Sequence, residues 1–320
     1  MIKKIINTIK HDGLRPFFCL AQANRFAKAY TREAQQQSLK EREQKTQEFL
    51  RSADVRDGCV QIPVLNFEMN VNASDAGISR DLIIDGIREK NAVGLVQKFL
   101  PKVSGGIYFD VGANLGFYVL IEGTYSGSNL EKIYAFEPLP ENAAILRTNV
   151  SLNKLDASVV VNECAMSDKP GVSSFQQEGH SNLGHLDDFG SILPEGSHSI
   201  DVKVDTIDDF CSREKIEQIN FLRMDVEGHE DKVLAGAKHT LSRSEECLIF
   251  LELHPRMIKE SGRSLPAMLS ALEELNFRCV AICGRDTEQI EDFDWGFLKR
   301  NVNVLCGCYG YHWFFAKGKL

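Results

Sequence analysis

The sequence predicts an α/β fold, a doubly wound and mainly parallel sheet with a helical N-terminal extension. Three observations predict it. Strand-length apolar runs alternate with helical patterns through the middle and end of the chain, which places helices on both faces of a mostly parallel sheet. The run Ile107-Tyr-Phe-Asp-Val111 hands over to a helix through the small-residue turn Gly112-Ala-Asn-Leu-Gly116. Lys132-Ile-Tyr-Ala-Phe136 reads as the next strand and ends in Glu137-Pro138. An acidic residue there, about 20 residues past the glycines, suits the ribose hydroxyls of a nucleoside.

The glycine loop narrows the ligand. Its glycines allow positive φ and close approach of a ligand, and free N–H groups at the helix start can hold an anionic group. It is not a dinucleotide fingerprint, because Asn114 stands where the middle glycine would let the backbone meet a pyrophosphate, and Gly116 comes one residue early. A nucleoside without a pyrophosphate fits better. S-adenosylmethionine (SAM) is such a ligand.

The chain has 320 residues and a net charge of −8. That length suits one catalytic domain with an extension, or two domains. No run of 18 apolar residues and no signal-peptide pattern is present. Nine scattered cysteines form no C-x-x-C pair, and Cys306 and Cys308 are too close for a zinc hook. Reduced thiols in a cytoplasmic protein are expected.

Residues 1–56 carry 12 Lys and Arg against 6 Asp and Glu. Ile2, Ile5, Ile6 and Ile9 follow helical spacing, and residues 31–50 read as a long polar helix. This basic segment could lie on a membrane surface, dock on the catalytic domain or pair with a second copy in a homo-oligomer. The expected division is an extension over 1–72 and a catalytic domain over 73–320, with core motifs in 105–255.

The elements follow in order. Val60–Val71 forms one or two short strands. Residues 82–100 form a helix, broken off by Pro101 and Gly105-Gly106. Residues 140–152 are helical and 158–162 extended. Val172–Gln176 and Ser199–Val204 pair as a hairpin around 178–198, a loop holding His180, Ser181, Asn182 and His185; loops of this length often act as lids. A helix runs from Asp205 to Arg213. Ile219–Met224 and Leu248–Leu251 are buried strands, with a helix through Val233, Leu234 and Ala237 between them. A helix over 265–275, a strand over 277–283 and strand-like runs at 302–305 and 312–315 close the chain.

The two buried strands end in chemistry. Asp225-Val-Glu-Gly-His-Glu230 follows the first, and Glu252-Leu-His254 the second. If the extended runs continue, Asp225 and Glu227 share a face, and so do Glu252 and His254. Ligands in such sheets bind beyond the carboxyl ends of the strands. Three carboxylates and an imidazole there suit general-base chemistry. An acid after a strand can also merely cap the next helix, and a lone His229 is more often hydrogen-bonded than catalytic. A divalent cation could use these oxygens, but no ligand spacing predicts one.

Taken together, Phe109-Asp-Val-Gly-Ala-Asn-Leu-Gly116, Ala135-Phe-Glu-Pro138, Val204-Asp-Thr-Ile-Asp-Asp209, Arg223-Met-Asp-Val-Glu-Gly-His-Glu230 and Glu252-Leu-His254 resemble the FkbM family of SAM-dependent methyltransferases over roughly residues 100–255. The resemblance implies a Rossmann-like class I methyltransferase fold, seven strands with one antiparallel near the C-terminus. It implies O-methylation of a hydroxyl on a sugar, glycan or natural product. Asp110, Gly112, Asn114 and Gly116 would line the methionine end of SAM. Glu137 would take the ribose, and Ala165, Met166 and Asp168 would lie near the adenine. Asp225, Glu227, Glu252 and His254 would face the acceptor. One departure is the polar stretch Arg88-Glu-Lys-Asn91 on the acceptor side.

A hydroxyl needs its proton removed, so His254 or Glu227 is the expected base with Asp225 orienting it. Two other readings remain open. One is an NAD- or nucleotide-sugar-dependent oxidoreductase, disfavoured by the loop spacing. The other is a non-catalytic SAM-fold scaffold, which has no use for clustered carboxylates. Nucleic acid is not expected as substrate, because the catalytic part is acidic and N-P-P-Y is absent after residue 224.

Overall fold

In the computed structural model, which describes residues 38–177, 184–186, 198–285 and 287–319, the chain divides into residues 1–53 and Asp54–Leu320. In the first unit, residues 38–52 are helical. The isoleucine stripe at 2–9 and residues 31–37 of the expected polar helix lie outside the described residues.

The second unit opens with β1 (Val55–Arg56), β2 (Cys59–Val64) and β3 (Phe67–Asn72), a small antiparallel sheet. The expected extension over 1–72 includes this hairpin. It belongs instead to the larger unit, and side-chain amides attach it there. Asn149, fully buried on helix Pro140–Leu152, accepts from the Asn70 N–H at 2.7 Å and donates to the Asn70 carbonyl at 3.0 Å. Asn153 does the same for Glu68, at 3.1 and 2.7 Å. Two asparagines four apart on one helix face thus satisfy the backbone of an edge strand that would otherwise need water.

The main sheet has eight strands. In chain order they are β4 (Ile107–Val111), β5 (Lys132–Phe136), β6 (Val159–Asn162), β11 (Phe221–Met224), β12 (Cys247–Glu252), β13 (Arg278–Cys283), β14 (Glu288–Ile290) and β15 (His312–Lys317). Their spatial order is β14-β13-β15-β12-β11-β4-β5-β6. The pairings from β6 through β5, β4 and β11 to β12 are parallel, and β15 runs antiparallel between β12 and β13. This is the expected sheet of seven, with the three-residue β14 added antiparallel at one edge. β4 and β11 are central and almost wholly buried, as strands covered by helices on both faces must be. Phe250 of β12 and Phe314 of β15 stack at 4.5 Å in the core.

Four strands make a second sheet: β7 (Ala165–Met166), β8 (Gly171–Gln177), β9 (Gly184–Leu186) and β10 (His198–Asp205), in the order β7-β10-β8-β9. The predicted hairpin is the antiparallel β8–β10 pair. Its inner residues Phe175, Leu186, Val202 and Val204 close on Leu139 and Ala165. His180, Ser181 and Asn182 of the expected lid lie outside the described residues.

Two further expectations fail. The predicted helix over 82–100 is two helices, Ile78–Asp85 and Lys90–Phe99. Gly86 ends the first in the left-handed conformation at φ 64°, and Glu89 turns the chain at φ 49°. Residues 302–305, read as a strand, lie inside helix Trp295–Tyr309. Val302 to Leu305 is a short apolar-edged run that suits a strand or a helix equally, but Val302 and Leu305 belong to a stripe of period near 3.6 with Leu298, Cys306 and Tyr309 that packs inward. Asp294 caps that helix by accepting from the Phe297 N–H at 2.7 Å.

Candidate functional site

The carboxyl ends of β4, β5 and β11 open onto one cavity, roofed by the second sheet. Its wall includes Gly112, Asn114, Glu137, Ala165, Met166, Asp225 and Glu227, all named from the sequence, and His229, Phe175 and Leu186. Asp110, Gly116 and Asp168, also expected at the cofactor, are not part of that wall.

The glycine loop is shaped by contact as well as by turn chemistry. Gly112 has φ 80°, and a Cβ there would lie 2.0 Å from the Asp225 carbonyl oxygen. The N–H groups of Gly112 and Ala113 both donate to the Phe136 carbonyl at 3.0 Å, tying the loop to β5. Asn114 sits at φ 49°, and its N–H donates to Glu137 Oε2 at 2.8 Å. Gly116, at φ 90°, starts helix Phe117–Tyr125 against Leu146, where a Cβ would come within 2.4 Å. It shapes the loop from behind. Asp168 is exposed on the surface.

Glu137 is 4% exposed. Its Oε1 accepts from the Leu139 N–H at 3.0 Å and from Asn142 at 3.4 Å. Burial pushes its pKa up to about 7, against the pull of these donors. The carboxylate is thus held in one orientation at the lip of the cavity.

Asp110 is fully buried behind the loop. It faces Arg223, its register partner on the neighbouring strand, with Nη1 to Oδ1 at 2.8 Å. The same guanidinium donates to the Gly112 carbonyl at 3.0 Å and, through Nη2, to Asp225 Oδ2 at 2.9 Å. It lies 4.4 Å from the centre of the Tyr118 ring. The one cation in an otherwise apolar strand therefore clamps the glycine loop to the acidic cluster.

The second cluster forms by a turn. The sequence reading carried the extended run through Glu227, but β11 ends at Met224, and Glu227 and Gly228 adopt positive φ of 47° and 88°. A left-handed Glu is costly and persists only when its surroundings impose it. His254 Nε2 lies 3.2 Å from Glu227 Oε2 and 4.0 Å from Asp225 Oδ1. Its Nδ1 lies 2.7 Å from Glu230 Oε1, on a side chain with no exposed surface, which also accepts from the Gly228 N–H at 3.0 Å. Burial would lower the His254 pKa, but Glu230, Glu227 and Asp225 drive it well above the usual imidazole range. Burial raises Glu227 to about 8 and Asp225 to about 6, the latter helped by the charge of Glu252.

Glu252 and His254, expected on one face, turn to different partners. Glu252 pairs with His312 at 3.4 Å, and His312 with Glu89 at 3.2 Å. Glu89 reaches in from the break between the two helices, and its Oε2 accepts from the Tyr118 hydroxyl at 2.8 Å. The polar Arg88-Glu89 stretch thus stands beside the acid at the end of β12 and its partner His312. His229 is buried and bonds Ser167 Oγ through Nε2 at 2.8 Å, the non-catalytic reading weighed for it. Glu89, Tyr118, Arg223, Glu230 and His312 escaped the sequence reading as site residues. Arg223 had a signal as a charge inside a buried strand, and Glu89 had one as part of the unusually polar stretch Arg88-Glu-Lys-Asn91.

Comparison with known proteins gives this geometry a family. Residues 110–279, just over half of the chain, match the model of the methyltransferase FkbM domain. The 2-O-methyltransferase NoeI of Sinorhizobium fredii is 31% identical over 169 residues, covering 49% of this chain and 67% of that protein. The 31-O-demethyl-FK506 methyltransferase FkbM of Streptomyces tacrolimicus is 29% identical over 200 residues, covering 53% and 71%. The hexuronic acid methyltransferase AglP of Haloferax volcanii is 26% identical over 148 residues, covering 46% and 56%. The domain match begins at Asp110, the residue that β4 presents to Arg223, and contains both acidic strand ends. The chain belongs to the FkbM family of SAM-dependent methyltransferases.

Proposed function

We propose that this methyltransferase binds SAM in the cavity between the glycine loop and the second sheet, and moves its methyl group to a hydroxyl oxygen of a sugar, glycan or natural-product acceptor. The observation that carries the reading is one cavity wall that brings Glu137 together with Asp225 and Glu227. Glu137 accepts the ribose hydroxyls, while Ala165 and Met166 form the adenine side under Phe175 and Leu186. Gly112 and Asn114 border the methionine end, and Asp110 contributes through Arg223 rather than by contact.

Glu227 is the better base. His254 holds its proton too tightly, whereas a carboxyl near pKa 8 is well placed to take one. The acceptor O–H proton passes to Glu227 as the oxygen attacks the methyl carbon in line. The new O–CH3 bond forms, the S–CH3 bond breaks and S-adenosylhomocysteine leaves. His254, held by Glu230, supplies positive charge beside the carboxylate. The acceptor class follows the names of the relatives, two of which specify O-methylation. The basic N-terminal segment is the candidate contact for a membrane surface or a second subunit. Among the described residues no helix is long and apolar enough to cross a membrane.

The test is calorimetric titration with SAM, S-adenosylhomocysteine and NADH, on the wild type and Glu137→Ala, followed by an acceptor screen with labelled methyl. Micromolar binding of both adenosyl compounds, lost in the variant, is expected. Binding of NADH alone would restore the oxidoreductase reading, and silence with all three the scaffold.

A further inference from the structure

A second group of ligand atoms lies outside the proposed base. Glu89, Glu252 and His312 come from three separate places: the break before helix Lys90–Phe99, the last residue of β12 and the first of β15, where Glu252 and His312 are register partners. One oxygen from each carboxylate and one imidazole nitrogen all lie within 4.8 Å of one another. We propose that these three side chains bind one divalent cation of the Mn2+ type.

The distances fit. Nε2 of His312 stands 3.2 Å from Glu89 Oε2 and 3.4 Å from Glu252 Oε2. Adjacent ligands on an octahedral ion with bonds of about 2.1 Å are about 3 Å apart. Both spacings suit adjacent positions on such an ion, leaving its other positions for water or a substrate oxygen.

His312 supplies an independent sign. It is 9% exposed, its ring nitrogens are closed to solvent, and neither makes an aligned hydrogen bond although two carboxylates flank Nε2. A buried polar ring without an aligned partner is costly. A cation between the ring and the two carboxylates would use the lone pair that the present contacts leave unaligned.

The surroundings behave as an outer shell. Arg88 Nε donates to the other oxygen of Glu89 at 2.8 Å, and the Tyr118 hydroxyl donates to Oε2 at 2.8 Å. Such contacts orient a ligating carboxylate without occupying the ion's positions. Two carboxylates and one imidazole suit a borderline-hard ion, Mn2+ better than a thiophilic one.

The experiment is an electron paramagnetic resonance titration of the chelator-treated full chain with Mn2+, following the loss of the free-ion signal. The wild type should bind one Mn2+, and pulsed spectra should show coupling to an imidazole nitrogen, a readout that needs no variant. Glu89→Gln, Glu252→Gln and His312→Gln should each weaken binding at least about tenfold, with far-UV circular dichroism showing each variant folded. Glu227→Gln, in the neighbouring cluster, should bind as the wild type does. No binding by the wild type, no nitrogen coupling, or loss in Glu227→Gln with retention in the other three would each overturn the proposal. None of these results depends on whether the protein methylates a hydroxyl.

Discussion

Asp110 and Arg223 face each other across the central pair of strands at 2.8 Å, both almost wholly out of solvent. One end of the guanidinium holds the glycine loop that borders the cavity, and the other holds Asp225. The pair couples the fold to the site, since removing either charge leaves the other buried. Asp110→Ala is expected to cost about 3 kcal/mol or more of unfolding free energy, the penalty for orphaning a buried charge. Urea denaturation measures it. A loss within about 1 kcal/mol, the range of exposed pairs, would show that Arg223 needs only Asp225.

Gly112 is required by its neighbour as much as by its conformation. In Gly112→Ala the new Cβ would meet the Asp225 carbonyl oxygen at 2.0 Å, and the loop must shift. A strain of about 1–3 kcal/mol predicts SAM binding weaker by about tenfold or more. Gly127 has a similar φ of +72° but open space around it, so Gly127→Ala should retain the wild-type affinity. Calorimetry on both variants separates close contact from backbone strain.

Glu227 sets the pH profile if it is the base. Its folded pKa of about 8 lies above the ordinary value of 4.5, so the active carboxylate appears only as the pH rises through about 8. The rate constant kcat/KM should climb through that region, with an apparent pKa shared with His254. Glu227→Gln should lower methyl transfer by about 100- to 10,000-fold and remove the rising limb. A variant that keeps the limb moves the assignment elsewhere.

Glu137 predicts opposite trends for stability and binding. Its pKa is raised in the folded state to about 7, so its contribution to apo stability is complete below about 4.5 and is lost as the pH rises through 7. Ribose hydroxyls prefer the ionised acceptor, so SAM affinity should increase over the same interval. Thermal unfolding and calorimetry from pH 5 to about 9, on the wild type and Glu137→Gln, test both. The variant should flatten both curves.

Local pattern carried much of this molecule. The helix over 140–152, the β8–β10 pair and the strands β4, β5 and β11 that carry or precede Asp110, Glu137 and Asp225 were legible, because a buried strand or an amphipathic helix announces itself within a few residues. The left-handed turn at Glu227 was not, because no residue type demands it. Val302 and Leu305 misled for another reason: a short apolar run does not show its period, and here it is part of an inward-facing helical stripe.

The sequence by itself determined the family, the order of the strands along the chain and most of the cavity wall, because those features lie in contiguous stretches. Only the tertiary structure decided which charges meet. Arg223 finds Asp110 because β4 and β11 are neighbours in register. Glu252 turns from His254 to His312 because β15 inserts antiparallel beside β12. Glu89 joins them because a helix breaks at Gly86. Such pairings depend on which strands lie side by side and where a helix stops, and those depend on burying apolar surface across the whole domain. No short stretch of sequence contains that information.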